Sequence, residues 1–226
     1  MLQDKKYSVE HLLTSVNTHH DRVSMHGLRR ELLQQQIHAL GIPNSTIELP
    51  EQLSMQEYEA LMSEAVTGLQ KKGFEYAGFG DIFLEDLKQY REQQLALFNI
   101  KTIFPLWKKD TKELLNEFIS LGFKAILVCI NSALLDTSFA GRIIDENFIN
   151  DLPPGVDPCG ENGEFHTFCF DGPVFKKPVP FTIGEKTYRE YEAPKNISDA
   201  SDASVKKNDM GFWFCDLLPV EERHLT

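Results

Sequence analysis

Up to about residue 130, apolar positions along the chain alternate between strand-like runs and helix-like spacing. Residues 9–16 (V-E-H-L-L-T-S-V) are rich in β-forming residues and end in a polar loop over 17–24. Leu28, Leu32, Ile37 and Leu40 recur as on one helix, and Gly41 followed by Pro43 is a stop signal. Residues 46–49 predict a short strand between Pro43 and Pro50. Tyr58, Leu61, Met62, Ala65 and Leu69 predict an amphipathic helix over 55–69 that Gly73 ends. A short apolar segment over 76–79 leads directly into Gly80-Asp81-Ile82, and residues 83–99 read as helical. Residues 101–104 predict a strand, and Asp110 or Thr111 predicts the cap of a helix that reaches Leu121-Gly122. The run K-A-I-L-V-C-I over 124–130 predicts a buried strand. Strand, helix, strand at this cadence predicts an α/β layer with a parallel sheet and crossover helices.

The texture then changes. Residues 132–150 predict short helical turns, and Leu152-Pro153-Pro154-Gly155 marks a break. Residues 164–170 alternate in strand fashion. Residues 174–192 predict antiparallel strands with a turn at Ile183-Gly184-Glu185. The Ser-, Asp- and Lys-rich stretch 195–209 predicts a mobile linker, and 212–218 an edge strand.

Composition narrows the function classes. The 226 residues suffice for one large domain or two small ones, and 42% hydrophobic with 25% charged residues is ordinary for a globular protein. A net charge of −11 argues against a protein built to grip nucleic acid. No apolar run approaches the roughly 18 residues of a membrane span, and the N-terminus has no signal-like apolar region. Cys129, Cys159, Cys169 and Cys215 form no C-x-x-C pair, so free thiols and a reducing cytoplasm are expected.

Three polar clusters are candidate sites. In the densest, 157–167 (D-P-C-G-E-N-G-E-F-H-T), two glycines flank Glu161-Asn162 and Glu164 enters a strand. Two carboxylates and an amide so placed suit Mg²⁺, an amine nucleophile or a nucleoside edge, and equally a turn with capping carboxylates. In the second, Asp81 follows a short strand, where open α/β sheets bind ligands, or it caps the next helix. In the third, Arg22, Ser24, His26 and Arg29 approach a helix start, where an anion can bind, or belong to a solvated loop. His19-His20 is adjacent rather than helically spaced, which disfavours a metal site. His166, on an alternating strand, suits a packed or orienting role better than that of a base. There is no metal signature, G-x-S-x-G or G-x-x-x-x-G-K-[ST] motif.

Residues 160–167 (G-E-N-G-E-F-H-T), with Asp171-Gly172-Pro173, resemble the signature of the diphthine–ammonia ligase family, PP-loop ATP pyrophosphatases of the adenine-nucleotide α-hydrolase superfamily. The resemblance continues at Ser24-Met25-His26-Gly27, Phe79-Gly80-Asp81-Ile82, Tyr90-Arg91-Glu92, Pro105-Leu106-Trp107 and Gly122-Phe123-Lys124-Ala125. It implies a HUP-type parallel sheet with flanking helices over 1–131 that binds nucleotide, lacking its first strand. A smaller C-terminal α+β domain over 132–194 would bind substrate, followed by a linker and terminal edge strand over 195–226.

The implied reaction uses ATP and Mg²⁺ to adenylate a carboxylate, protein-borne diphthine or a small metabolite, and ammonia then forms the amide. Glu161, Asn162 and Glu164 would be catalytic. Asp81, Gly80, His26, Gly27 and Arg29 would meet the nucleotide. Gly160, Gly163, His166 and Thr167 would meet the substrate. No nucleic acid or membrane partner is implied, and the oligomeric state, a homodimer included, stays open. The family's S-G-G-K-D-S phosphate loop is absent from this sequence. That predicts a truncated reading frame, inactive as written. The alternatives are a non-catalytic adenine-nucleotide or metabolite-binding paralogue, with a link to cobalamin salvage, and a plain adenine-nucleotide hydrolase.

Overall fold

The computed structural model of the chain describes residues 6–191 and 210–220. The front of the chain runs β1 (Leu12–Asn17), β2 (Arg22–Val23), α1 (Arg30–Leu40), β3 (Asn44–Leu49), α2 (Met55–Lys71), β4 (Tyr76–Gly78), α3 (Glu85–Ala96) and β5 (Lys101–Ile103). The back half runs α4 (Thr111–Ser120), β6 (Lys124–Asn131), α5 (Glu146–Asp151), β7 (Phe165–Asp171), β8 (Phe181–Tyr191) and β9 (Met210–Pro219). Helix limits obey local chemistry. The Gly41 N–H closes α1 on Ile37 in the left-handed conformation, at φ 69°. Ser54 and Glu57 form a capping box at α2, and Asp110 and Asp145 cap α4 and α5.

The molecule is mixed α/β, with parallel and antiparallel sheets. β1 pairs in parallel with β3 across the α1 crossover, and β4 in parallel with β5 across α3. The two parallel pairs belong to separate sheets, rather than the single one that the cadence predicts. β6 also departs from expectation. It joins a four-stranded antiparallel sheet of order β7-β6-β9-β8. Its six consecutive buried residues, Ala125 to Ile130, suit the middle of either sheet type, so periodicity could not choose between them. β9 lies inside this sheet and β8 at its edge, the reverse of the edge expected for 212–218. The predicted turn at 183–185 is a bulge within one long strand, where the register shifts between Ile183 and Lys186. The predicted linker over 195–209 lies outside the described residues.

One core joins both halves. Val16 of β1 and Leu32 and Leu33 of α1 pack with Ile126, Leu127 and Ile130 of β6, Phe148 of α5, Phe168 of β7 and Leu217 of β9. A small second cluster of Val66, Leu95 and Ile100 lies beneath β4 and β5. No helix among the described residues is long and apolar enough to cross a membrane.

Phe148 is fully buried, edge-on to Phe139 and Phe165. Phe148→Ala is expected to cost about 3–5 kcal/mol through lost transfer energy and a cavity. Urea unfolding monitored by circular dichroism measures the loss.

Candidate functional site

The segment between α5 and β7 folds around a buried carboxylate. Glu164 is 2% exposed. Its Oε1 accepts from the Asp157 N–H at 3.0 Å and from Asn162 Nδ2 at 3.0 Å, and its Oε2 accepts from the Asn162 N–H at 2.9 Å. Burial alone would raise its pKa, but these donors outweigh it and hold the carboxyl below its ordinary value. Asp157 Oδ1 accepts from the N–H groups of Cys159 and Glu161, at 2.9 and 3.2 Å. Gly160, at φ +70°, is required where it stands, because a Cβ there would come within 2.9 Å of the Phe165 carbonyl oxygen. The Cys159 thiol donates to the Thr111 carbonyl at the start of α4. Burial, with Asp157 and Glu161 nearby, pushes its pKa up to about 12, so the thiol stays protonated.

Glu161 turns the other way. Its Oε1 accepts from the Ile82 N–H at 2.6 Å and more weakly from Phe83 at 3.4 Å. The acidic loop is thereby fastened to the turn at the carboxyl end of β4. In that turn Asp81 is 8% exposed and pairs with Arg91, with Nε–Oδ2 at 3.0 Å. The Arg91 guanidinium lies over the Phe79 ring at 4.4 Å. Asp81 does not cap the next helix, since Leu84 holds the cap position of α3. Gly80 faces open space.

The loop between β2 and α1 forms the third part. His26 and His166 lie with ring centroids 4.7 Å apart. Burial, with His26 as a neighbour, lowers the pKa of His166 to about 4. Burial also lowers that of His26, against an opposing hydrogen bond to Ser24. Because the Ser24 carbonyl only accepts, His26 Nδ1 carries the proton at that 3.1 Å contact, and the neutral ring keeps its lone pair on Nε2. Met25, exposed and at φ 64°, and Gly27, at φ +67° with its Cα against the Phe214 ring, shape this loop.

Arg29 is engaged by Asp216 of β9 through two hydrogen bonds of 3.0 and 2.6 Å, and Arg22 joins at 2.8 Å. Burial would raise the pKa of Asp216, but the two guanidiniums hold it low. Thr167 points to the face of β7 opposite His166 and joins neither group.

The structure thus gathers Glu161, Asn162, Glu164, Gly160 and Gly163 with Gly80 and Asp81, and gathers His26 with His166. It commits Arg29 elsewhere. Asp216 lay outside every expected cluster, while Asp157 and Arg91 lay within quoted motifs but were given no role. Asp216 had a signal, as the one charge inside F-W-F-C-D-L-L. A shallow depression beside α3 and β5, near Glu92 and Lys101, brings together no comparable chemistry. The carboxylates of the acidic cluster are already occupied by protein donors, so they do not fit a Mg²⁺ cage as they stand.

Residues 110–202, which contain the acidic loop, match the family described as diphthamide synthase C-terminal domain. The diphthine–ammonia ligase of Bos taurus is 32% identical over 102 residues, which is 42% of this chain and 38% of that protein. The Danio rerio ligase is 34% identical over 102 residues, 42% of this chain and 40% of the relative. The Rattus norvegicus ligase is 28% identical over 130 residues, 55% and 48% of the two chains. Over that matched part, the chain is similar to the diphthine–ammonia ligases. It spans less than half the length of these ligases, and residues 22–29 and 80–83 of its site precede the family's matched C-terminal domain.

Acid titration separates the two buried groups. The lowered pKa of Glu164 stabilises the fold at neutral pH, and that contribution is lost as pH falls below the ordinary value of 4.5 and through the folded one. His166 acts earlier. Its unfolded form takes up a proton near 6.5 and its folded form only near 4, so stability falls as pH drops between them. Glu164→Gln leaves at least one N–H unpaired and should cost about 1–3 kcal/mol at pH 7. His166→Phe should flatten the loss between pH 6.5 and 4. Urea midpoints from about pH 7 to pH 3 test both.

Proposed function

We propose that this chain contributes nucleotide and acceptor groups to an ATP-dependent, amide-forming ligase. The reaction has two balanced steps. A carboxylate oxygen attacks the α-phosphorus of ATP, giving an acyl-adenylate and pyrophosphate. Ammonia then attacks the acyl carbon, AMP leaves, and the nitrogen loses a proton to give the amide. The acceptor is a carboxylate of the kind named for the relatives, diphthine.

The observation that carries this reading is the hydrogen bond from the Ile82 N–H to Glu161, which fastens an acidic loop against the carboxyl end of a parallel strand. That is where open α/β sheets bind ligands. In this reading residues 1–131 carry the nucleotide side and 132–194 the acceptor side. Gly80 leaves room for the nucleotide, and Asp81, held by Arg91, fixes the wall beside it. Glu161 and Glu164 position the loop, and Asn162, at its exposed tip, meets the acceptor. His26 Nε2 takes the proton that the attacking nitrogen gives up. Gly160, Gly163 and Gly27 supply the tight turns, and His166 packs beneath His26. ATP supplies the activating phosphoryl chemistry when bound. No step is assigned to Mg²⁺.

With the complete gene product, ATP, ammonium and a diphthine-bearing acceptor, amide should form with one pyrophosphate and one AMP released per turnover. Glu161→Ala should lower the rate by about a hundredfold through misplacement of the loop. Glu161→Gln, which keeps an oxygen for the Ile82 N–H, should retain most of it. Binding of AMP or ATP by calorimetry with no pyrophosphate released would replace this reading with a non-catalytic adenine-nucleotide-binding one.

A further inference from the structure

We infer that His19, His20 and Glu51 form a binding site for a borderline divalent cation of the zinc class, separate from the acidic loop. The two histidines lie in the turn between β1 and β2, and Glu51 lies just beyond β3. β1 and β3 are parallel neighbours whose final residues, Asn17 and Leu49, are in register. The segments leaving the two strands therefore emerge side by side on the same rim. Thr18 ties the two segments together there, and Asn17 fixes the turn that carries the histidines. The Thr18 N–H donates to the Leu49 carbonyl at 2.9 Å, the Thr18 hydroxyl to the same oxygen at 3.3 Å, and the His20 N–H to Asn17 Oδ1 at 2.9 Å.

On this fixed backbone one ligand atom from each of the three side chains lies within 4.8 Å of the others. His19 Nε2 and Glu51 Oε1 are 3.7 Å apart, and the two imidazole rings are 4.7 Å apart, edge to face. Metal–ligand bonds of about 2.0–2.2 Å in a tetrahedron space the ligand atoms about 3.4 Å apart. A shift of about 1 Å in exposed side chains closes the set, within their ordinary rotamer freedom. Two imidazoles and one carboxylate suit zinc, cobalt or nickel, whereas magnesium and calcium take oxygen sets. Three protein ligands leave a position for water or for a ligand oxygen. Asp21 is excluded from the set because Arg30 already holds it. The ion would tie the β1–β2 turn to the connection after β3 and stiffen this rim.

The test is calorimetry of the full chain with Zn²⁺ in excess Mg²⁺, alongside His19→Ala, His20→Ala and Glu51→Gln. The inference requires one saturable equivalent of Zn²⁺ that Mg²⁺ does not displace. Either histidine substitution should weaken it by at least about tenfold, since even supporting partners of a metal ligand count for that much. Glu51→Gln should weaken it by less. Because all three residues are exposed, the metal-free variants should melt with the wild type. Binding only at millimolar Zn²⁺, or binding unchanged in the three variants and so due to the four thiols, overturns the inference.

Discussion

A carboxylate removed from water is costly unless donors converge on it, and Glu164 meets that demand with the backbone of its own loop. The consequence is geometric. Satisfying Glu164 from Asp157 and Asn162 closes 157–164 into a compact turn and leaves Glu161 as the carboxylate aimed outward. Without that closure, nothing would present Glu161 to the turn after β4, and the acidic loop would be an ordinary polar excursion. The same residue type so plays two parts three positions apart, one folding the loop and the other docking it.

The second polar centre obeys the same logic with opposite charges. Asp216 is partly buried in an apolar strand and is tolerated there because Arg22 and Arg29 converge on it. Those arginines flank the loop that carries His26. The ring of Phe214, two residues before Asp216, closes against Gly27 of the same loop. The loop between β2 and α1 is therefore shaped by β9 as much as by its own sequence.

Local features were legible in the sequence, and partnerships were not. Gly41, Gly73, Asp110 and the spacing of Leu28, Leu32, Ile37 and Leu40 announced helices close to those found, because caps and amphipathic spacing act over one or two turns. The parallel pairing of β1 with β3 came from the crossover cadence. The sheet that β6 joins did not, since an apolar strand carries no record of its neighbours' direction. The bulge at Ile183–Lys186 reads as a turn because Gly184 serves either purpose. At the site, the glycine spacing of 160–163 marked the loop, and Asp81 was marked by its place after a strand. The choice of Glu164 over Glu161 as the inward carboxylate is not marked by residue type, and the commitment of Arg29 to Asp216 depends on a tertiary contact that no motif encodes.

The Arg29–Asp216 bridge spans 187 residues of sequence. At synthesis rates of about 5–20 residues per second, the nascent chain waits on the order of ten to forty seconds between the emergence of one partner and of the other. For that interval Arg29 lacks its carboxylate partner, while Arg22 can still donate to the Gly27 carbonyl of its own loop. The front of the protein thus gains this cross-chain tie only once β9 has been made.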